Sequence, residues 1–402
     1  MDVEMRPLWK DLPQLSLGER DRRWKRIKEK MALTGIDCLV LWNTRRSEHI
    51  RYATQLAIRG VVVFPLKGEP IAFTFMLHIG KFAKACQNWV TDVREDIHEL
   101  PKVLKDLGLE KGTVGLVSVS NLPSRMGGEG IPARAEKMLH AALPNARFVD
   151  ATSIFEELEM IKSPEEIEFL NKSAEIAYNI YEAIKHTFKP GATECEVYAA
   201  MLAAQTATGG DVDSIYLDIG APPMIHGRLP PYTTKKVRAG DILITEFHAS
   251  YAGYLVAAEH TFAIGEPPAE FRKIHQVGEE CFAQGTARMT VGTRFGDALA
   301  AYRAPADNAG IAYVELGFHG HGLSSCEFPT TVYGGKGGIL HDHNLGQVPP
   351  VTLEENMVFG QNIDIHNPRW NPNTGLMLGD TIWVAAAGPK KMTRIPVELT
   401  VV

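Results

Sequence analysis

The chain has 402 residues, 45% of them hydrophobic and 22% charged, and a net charge of −6 at pH 7. This is the composition of a soluble globular protein long enough for two domains. Without a long basic run, nucleic acid is not expected as a partner, because phosphate binding needs clustered Lys and Arg. No run reaches the roughly 18 apolar residues of a membrane span. The polar start, Met1-Asp2-Val3-Glu4, does not read as a secretory signal. The five cysteines are widely spaced with no CxxC, which suits a reduced cytoplasm.

Residues 18–34 have helical periodicity and stop at Gly35. The basic residues from Arg22 to Lys30 interleave with Trp24, Ile27 and Glu29, and read as the solvated face of that helix. Residues 36–42 follow as a buried strand. Two more strands, 59–65 and 69–75, flank a Lys67-Gly68 turn. Residues 113–117 and 146–150 continue the alternation, so residues 1–155 are expected to form one α/β domain. At the boundary, Ser163 is a good helix N-cap, Pro164 suits the first turn, and Glu166 completes a capping box. A long amphipathic helix is predicted from there to about Phe188.

Residues 160–402 carry a weak internal repeat. Lys189-Pro-Gly-Ala-Thr-Glu resembles Thr290-Val-Gly-Thr-Arg-Phe, each a glycine turn, a threonine cap and a helix. Each unit is followed by Gly-Asp and a strand, at Gly240-Asp241 and Gly379-Asp380. Two similar α+β halves over one central cleft are expected.

The chemistry-bearing residues fall in this second part. His226 lies in a loop among Gly and Pro, where an imidazole can serve as general acid and base near neutrality; the simpler reading is a surface histidine. Glu246 and His248 are two apart on a predicted strand and share a face, as do Asn362, Asp364 and His366 on another. If both faces line the cleft they meet His319 and His321, as a ligand site or as a satisfied hydrogen-bond network. The same imidazoles and carboxylates could instead rebuild a mononuclear metal site, with His341 and His343 as further candidates. Cys326 could be a nucleophile beside His319 or His321, although a small apolar filler is the simpler role.

Residues 318–329, Phe-His-Gly-His-Gly-Leu-Ser-Ser-Cys-Glu-Phe-Pro, resemble the histidine motif of the pita-bread metallopeptidases, G-H-G-I-G-L-E-x-H-E-x-P. The helix entry at 161–168, the spacing from His226 to Gly240-Asp241, Asn356-Met-Val-Phe and the closing Gly379-Asp-Thr follow in that family's order. The resemblance, to the creatinase, prolidase and methionine aminopeptidase family, covers essentially the whole chain. It implies an α/β N-terminal domain and an α+β pita-bread C-terminal domain with a pseudo-twofold repeat.

The family's two metal ions use Asp, Asp, His, Glu and Glu. Those positions fall here on Glu246, Ala257, His319, Asn362 and Gly379. Only the histidine is kept, so the resemblance implies no dinuclear site and no metal cofactor. Creatinase, the member that works without metal, is closest in pattern. Glu259 matches its guanidinium-binding glutamate, His226 its catalytic histidine, and Arg59 an arginine that reaches the neighbouring subunit's substrate carboxylate. Asn362 and Gly379 depart from creatinase and make creatine a poor substrate.

The expected function is a metal-independent, creatinase-like hydrolase cleaving a C–N bond, of amide, ureido or amidine type, in a small polar, carboxylate-bearing molecule. His226, Glu259, Glu246 and His319 are its expected catalytic groups. Arg59, His248, His321, Asn362, Asp364, His366 and Cys326 are its expected binding groups. A homodimer, with each N-terminal domain closing the partner's cleft, is implied by the same resemblance. The alternatives are a hydrolase or lyase with a rebuilt metal site, and an inactive pita-bread binding module.

Overall fold

The structure, a computed structural model, describes residues 6–43, 48–56, 59–75, 80–117, 131–211, 215–221, 233–330 and 350–402. It divides into two compact units, Met1–Glu159 and Met160–Val402.

The first unit opens with the helix Leu17–Thr34, which Ser16 caps by accepting the Glu19 N–H and which ends at Gly35 in the left-handed region. Its sheet uses β1 (Cys38–Asn43), β2 (Gly60–Pro65), β3 (Ile71–Thr74), β4 (Asp92–Arg94), β5 (Thr113–Val117) and β6 (Arg147–Asp150), in the order β4-β3-β2-β1-β5-β6. Antiparallel β1–β2 and β2–β3 pairs join parallel β1–β5, β5–β6 and β3–β4 pairs. The Val/Phe-rich β2 is buried along its whole length, as a central strand with both faces covered should be.

Arg23 is not on a solvated face; it is 0% exposed. Its guanidinium lies 4.2 Å from the Tyr52 ring centroid, donates to Glu19 Oε1 at 2.6 Å and to the Tyr52 carbonyl at 3.0 Å. A planar, weakly hydrated cation tolerates burial when its donors are met in this way.

In the second unit the helix Pro164–Thr187 starts with the full Ser163–Glu166 capping box. The helix Glu194–Ala207 is boxed likewise by Thr193 and Glu196. The matching helix of the other half, Phe295–Ala309, departs from the predicted threonine cap: Arg294 is its N-cap and makes no side-chain cap bond. Thr293 Oγ1 meets Thr290 Oγ1 at 2.9 Å instead, while the Phe295 N–H and Thr293 carbonyl bond to Val351 and Leu353. Backbone pairing to that neighbouring segment takes the place of the cap.

Two sheets carry the unit. One has the order β16-β9-β8-β7, from β7 (Ile215–Ile219), β8 (Ile242–Tyr251), β9 (Tyr254–Ala263) and β16 (Thr400–Val401). The other has the order β11-β10-β12-β14-β15, with β13 pairing β12. Its strands are β10 (Ala312–Gly320), β11 (Glu327–Thr330), β12 (Val358–His366), β13 (Gly375–Leu378), β14 (Thr381–Ala385) and β15 (Gly388–Lys391). Glu259 of β9 exchanges two 3.0 Å backbone hydrogen bonds with Gly379, which joins the sheets at the cleft. The helices Ala269–Arg288 and Phe295–Ala309 bury Phe282, Phe295 and Tyr302 against Leu316, Phe318 and Ile363 on one face of β10 and β12. The opposite face of those strands is left for polar side chains.

Candidate active site

Strand alternation builds the site from two cross-strand pairs. On β8 and β9, Glu246 stands directly opposite Glu259, and His248 opposite Ala257. On β10 and β12, a register shift between Tyr313 and Glu315 puts Glu315 opposite Asp364, Asn362 opposite Gly317 and Gly360 opposite His319. All of these acidic and imidazole side chains are buried.

A hydrogen-bonded row crosses between the sheets. His319 Nε2–H donates to Asn362 Oδ1 at 2.9 Å, and Asn362 Nδ2 donates to Glu259 Oε1 at 2.6 Å. The Ile363 N–H reaches Glu259 Oε2 at 3.3 Å. An amide is the group that can accept from an imidazole on one side and donate to a carboxyl on the other. His321 lies beside this row, its ring centroid 4.7 Å from that of His319, and its Nδ1–H donates to Thr381 Oγ1 at 3.3 Å, the Thr381 hydroxyl proton going to the Ala257 carbonyl. Gly360 makes room for that ring, since a Cβ there would stand 2.4 Å from His321 Nε2. Glu246 Oε1 is 3.2 Å from His248 Nε2.

Burial governs the charges. It pushes the His319 imidazole down to about 4 and the His321 imidazole well below its ordinary range, the neighbouring imidazoles adding to the effect. Both rings are therefore neutral at pH 7. Burial also raises the Glu259 carboxyl well above the usual range, with Asp364, Glu246 and Glu315 adding repulsion. Burial and Glu246 bring Glu315 up to about 8, and burial with Glu315 and Glu246 raises Asp364.

A carboxyl raised from 4.5 contributes stability that is full below its unfolded value and is lost as pH climbs through its folded one, here about 8. The denaturation midpoint is expected to fall between about pH 5 and about pH 8.5, and less steeply in Glu315→Gln. Parallel pH profiles for parent and variant would contradict this assignment.

The loop after His321 is pinned by a buried ion pair. Lys162 Nζ donates to Glu327 Oε2 at 2.5 Å, and Glu327 Oε1 accepts the Leu323 N–H at 2.7 Å. Lys162→Met would leave that carboxylate buried and uncompensated, an expected loss of about 3–5 kcal/mol. Urea unfolding checks it; a shift under about 1 kcal/mol would show the pair to be dispensable.

The structure thus brings together Glu246, His248, Glu259, His319, His321, Asn362 and Asp364. His366 sits at the half-exposed end of β12, and Cys326 is half-buried in the turn after His321, with its N–H on Ser324 Oγ. Arg59 is exposed in the first unit, just before β2. His226, His341 and His343 lie outside the described residues. Sequence reasoning passed over Glu315, although Glu315, Gly317 and His319 alternate along one strand. It also passed over Thr381 and the Lys162–Glu327 pair.

A two-unit chain whose second unit folds as two α+β halves around a buried polar cleft defines the class, and comparison with known proteins gives the family. Residues 168–386 match metallopeptidase family M24, and residues 23–161 match the creatinase/prolidase N-terminal domain. The chain belongs to family M24, with the pita-bread fold of a creatinase- or prolidase-type hydrolase. It is 24% identical to the ectoine hydrolase of Halomonas elongata, over 94% of this chain and 96% of that protein. It is 23% identical to the creatinase of a Bacillus species, over 96% and 92%. Among solved structures, the Xaa-Pro dipeptidase of Bacillus anthracis superposes with a TM-score of 0.77 at 22% identity, covering 95% of this chain and all of that one.

The family's metal pair does not fit the residues at its five positions. Ala257 and Gly379 offer no donor, Asn362 is committed at both ends of its amide, and His319 Nε2 is bonded to it. A Cβ at position 379 would stand 2.0 Å from the Gln361 carbonyl oxygen and 3.1 Å from Glu259 Oε2, so the missing carboxylate has no space either. Among the described residues no three His, Cys, Asp or Glu side chains are placed to hold one ion, and the candidates His341 and His343 of a rebuilt mononuclear site lie outside those residues.

Proposed function

We propose that this chain hydrolyses a C–N bond, of amide, ureido or amidine type, in a small polar molecule bearing a carboxylate, and that it works without the family's metal pair. The observation that carries this reading is the His319–Asn362–Glu259 row, which replaces a metal-ligand set by a continuous line of hydrogen bonds. Hydrogen-bond donors preorganised in a buried site stabilise developing charge as a Lewis acid would. Glu259, kept protonated by its surroundings, is a proton source at neutral pH.

In the proposed reaction His226 takes a proton from water as the water oxygen bonds to the substrate carbon. His226 then gives that proton to the leaving nitrogen and the C–N bond breaks. Glu246 and Glu259 orient the N–H groups, Glu259 also lending its proton to the substrate's carbonyl or imine group as the water adds and regaining it as the C–N bond breaks, while neutral His319 and His321 face the reacting carbon's substituents. Arg59 pairs with the carboxylate in bidentate fashion, from the second subunit of a homodimer. The relatives' names support the choice of bond, since one is a hydrolase of ectoine and another acts as creatinase. Five cysteines, none of them in a disulfide, suit a cytoplasmic site of action.

The experiment is a hydrolysis panel of ectoine, creatine, an N-carbamoyl amino acid and an Xaa-Pro dipeptide, each with and without EDTA. Turnover of one of the first three, undiminished by EDTA, is expected. Dipeptide cleavage that EDTA abolishes and Mn²⁺ restores would replace this reading by a metallopeptidase.

A further inference from the structure

His321 is held closely by its surroundings and left open at one atom. It follows the last residue of β10, and its backbone N–H bonds to the Val358 carbonyl at 2.9 Å. Gly360, on the same face of β12 as Asn362, yields the space that the ring fills. Thr381 fixes the tautomer. Its Oγ1 accepts the Ala257 N–H at 3.0 Å and gives its own proton to the Ala257 carbonyl at 3.0 Å. A hydroxyl has one proton and two lone pairs. The lone pair left over faces His321 Nδ1, so Nδ1 carries the ring proton. A neutral imidazole protonated there presents a bare lone pair at Nε2. That nitrogen is buried and has no hydrogen-bond partner among the described residues. The nearby Ser325 backbone has the smallest of the effects on the ring and falls outside hydrogen-bond geometry at Nε2. A buried acceptor left unmet is costly, and here a glycine, a hydroxyl and the backbone all serve to hold it in place.

We propose that His321 Nε2 is the acceptor for an uncharged N–H of the substrate, an amide or ureido N–H, and that Thr381 is the positioning residue that keeps it an acceptor. The inference rests on the hydrolase reading and sharpens it by naming the substrate class: the nitrogen of the bond to be cleaved carries a hydrogen. A tertiary amide, such as an Xaa-Pro bond, does not fit. An N–H supplies what Nε2 lacks, whereas a methyl in its place would press carbon on the lone pair and leave it unmet. Burial, and after it the His319, His248 and Lys162 charges, oppose a positive charge on this ring, so a neutral donor suits it better than a cation. His319 cannot take this part, because its Nε2 is committed to Asn362.

The test is long-range proton–nitrogen NMR of the full-length protein, isotope-labelled at its histidine nitrogens, with the His321 signals assigned by their loss in His321→Phe. The free protein at neutral pH is expected to show Nδ1 protonated and Nε2 bare. Thr381→Ser should keep this pattern and Thr381→Val should lose it. N-Acetylglycine, which has an amide N–H, is expected to shift the Nε2 signal; N-acetylsarcosine, with a methyl in its place, is not. His321→Phe should weaken N-acetylglycine by about ten- to a hundredfold and change N-acetylsarcosine by less than about threefold. Thr381→Val also strips Ala257 of a partner. If it does not fold, Thr381→Ser and His321→Phe carry the comparison, since phenylalanine keeps the ring and removes an unmet polar atom. A proton on Nε2 in the free protein, an equal response to the two ligands, or no response to N-acetylglycine would overturn the proposal. Because no turnover is needed, the two readings fail separately. The expected NMR pattern without hydrolysis of any panel compound sinks the hydrolase reading alone. A proton on Nε2 with turnover intact sinks the acceptor alone.

Discussion

Glu259→Gln is expected to lower turnover by a factor on the order of 10²–10⁴ while leaving the protein folded and at least as stable as the parent. The two effects point in opposite directions because this carboxyl serves chemistry at the expense of stability. Its Oε1 accepts from Asn362 and its Oε2 from the Ile363 N–H, and a glutamine can keep much of that geometry. What glutamine cannot keep is the exchangeable proton. Three further acids, Asp364, Glu246 and Glu315, repel the ionised form of Glu259, so neutralising it relieves the cluster. Steady-state kinetics alongside thermal melts read both quantities. Activity within about threefold of the parent would remove Glu259 from the reaction, and a large drop in melting temperature would make its role structural.

His226→Ala is expected to cost turnover a similar factor, on the order of 10²–10⁴, with substrate affinity largely retained. A general base acts in the transition state more than in the ground state, so the loss should appear in kcat rather than in KM. The basis is its match to the catalytic histidine of the creatinase pattern and the Gly and Pro residues that flank it in the sequence. The neutral His319 and His321 are poor substitutes, because burial leaves their imidazoles too weakly basic to take a proton at pH 7. A loss below about tenfold would exclude His226 as the proton carrier and direct attention to Glu259 and Glu315 instead.

The elements whose signals are local were legible in the sequence. Ser163, Pro164 and Glu166 announce a helix start by themselves, and the capping box forms as written. The spacing of two between Glu246 and His248, and between Asn362 and Asp364, puts each pair on one face of its strand. Which residues stand opposite one another was not legible, because strand register is a tertiary property. Glu315 meets Asp364 only through the register shift after Tyr313, so one acid of the cluster escaped notice. Arg23 reads as a surface cation until Tyr52, far along the chain, supplies both a ring and a carbonyl. The threonine cap predicted at Phe295–Ala309 gave way to backbone pairing with residues 351–353, a contact no local pattern encodes. The family pattern identified which metal ligands are missing. It took the geometry to find that Glu259 and Asn362 close the gap.

The measurement that bears most directly on the central claim is elemental analysis of protein purified without chelators or a histidine tag, paired with turnover of the panel's best substrate. The account predicts less than about a tenth of an equivalent of any transition metal, and turnover unchanged after incubation with Zn²⁺, Mn²⁺ or Fe²⁺. One or two equivalents of a single metal, with activity lost on its removal and restored on its return, would contradict it.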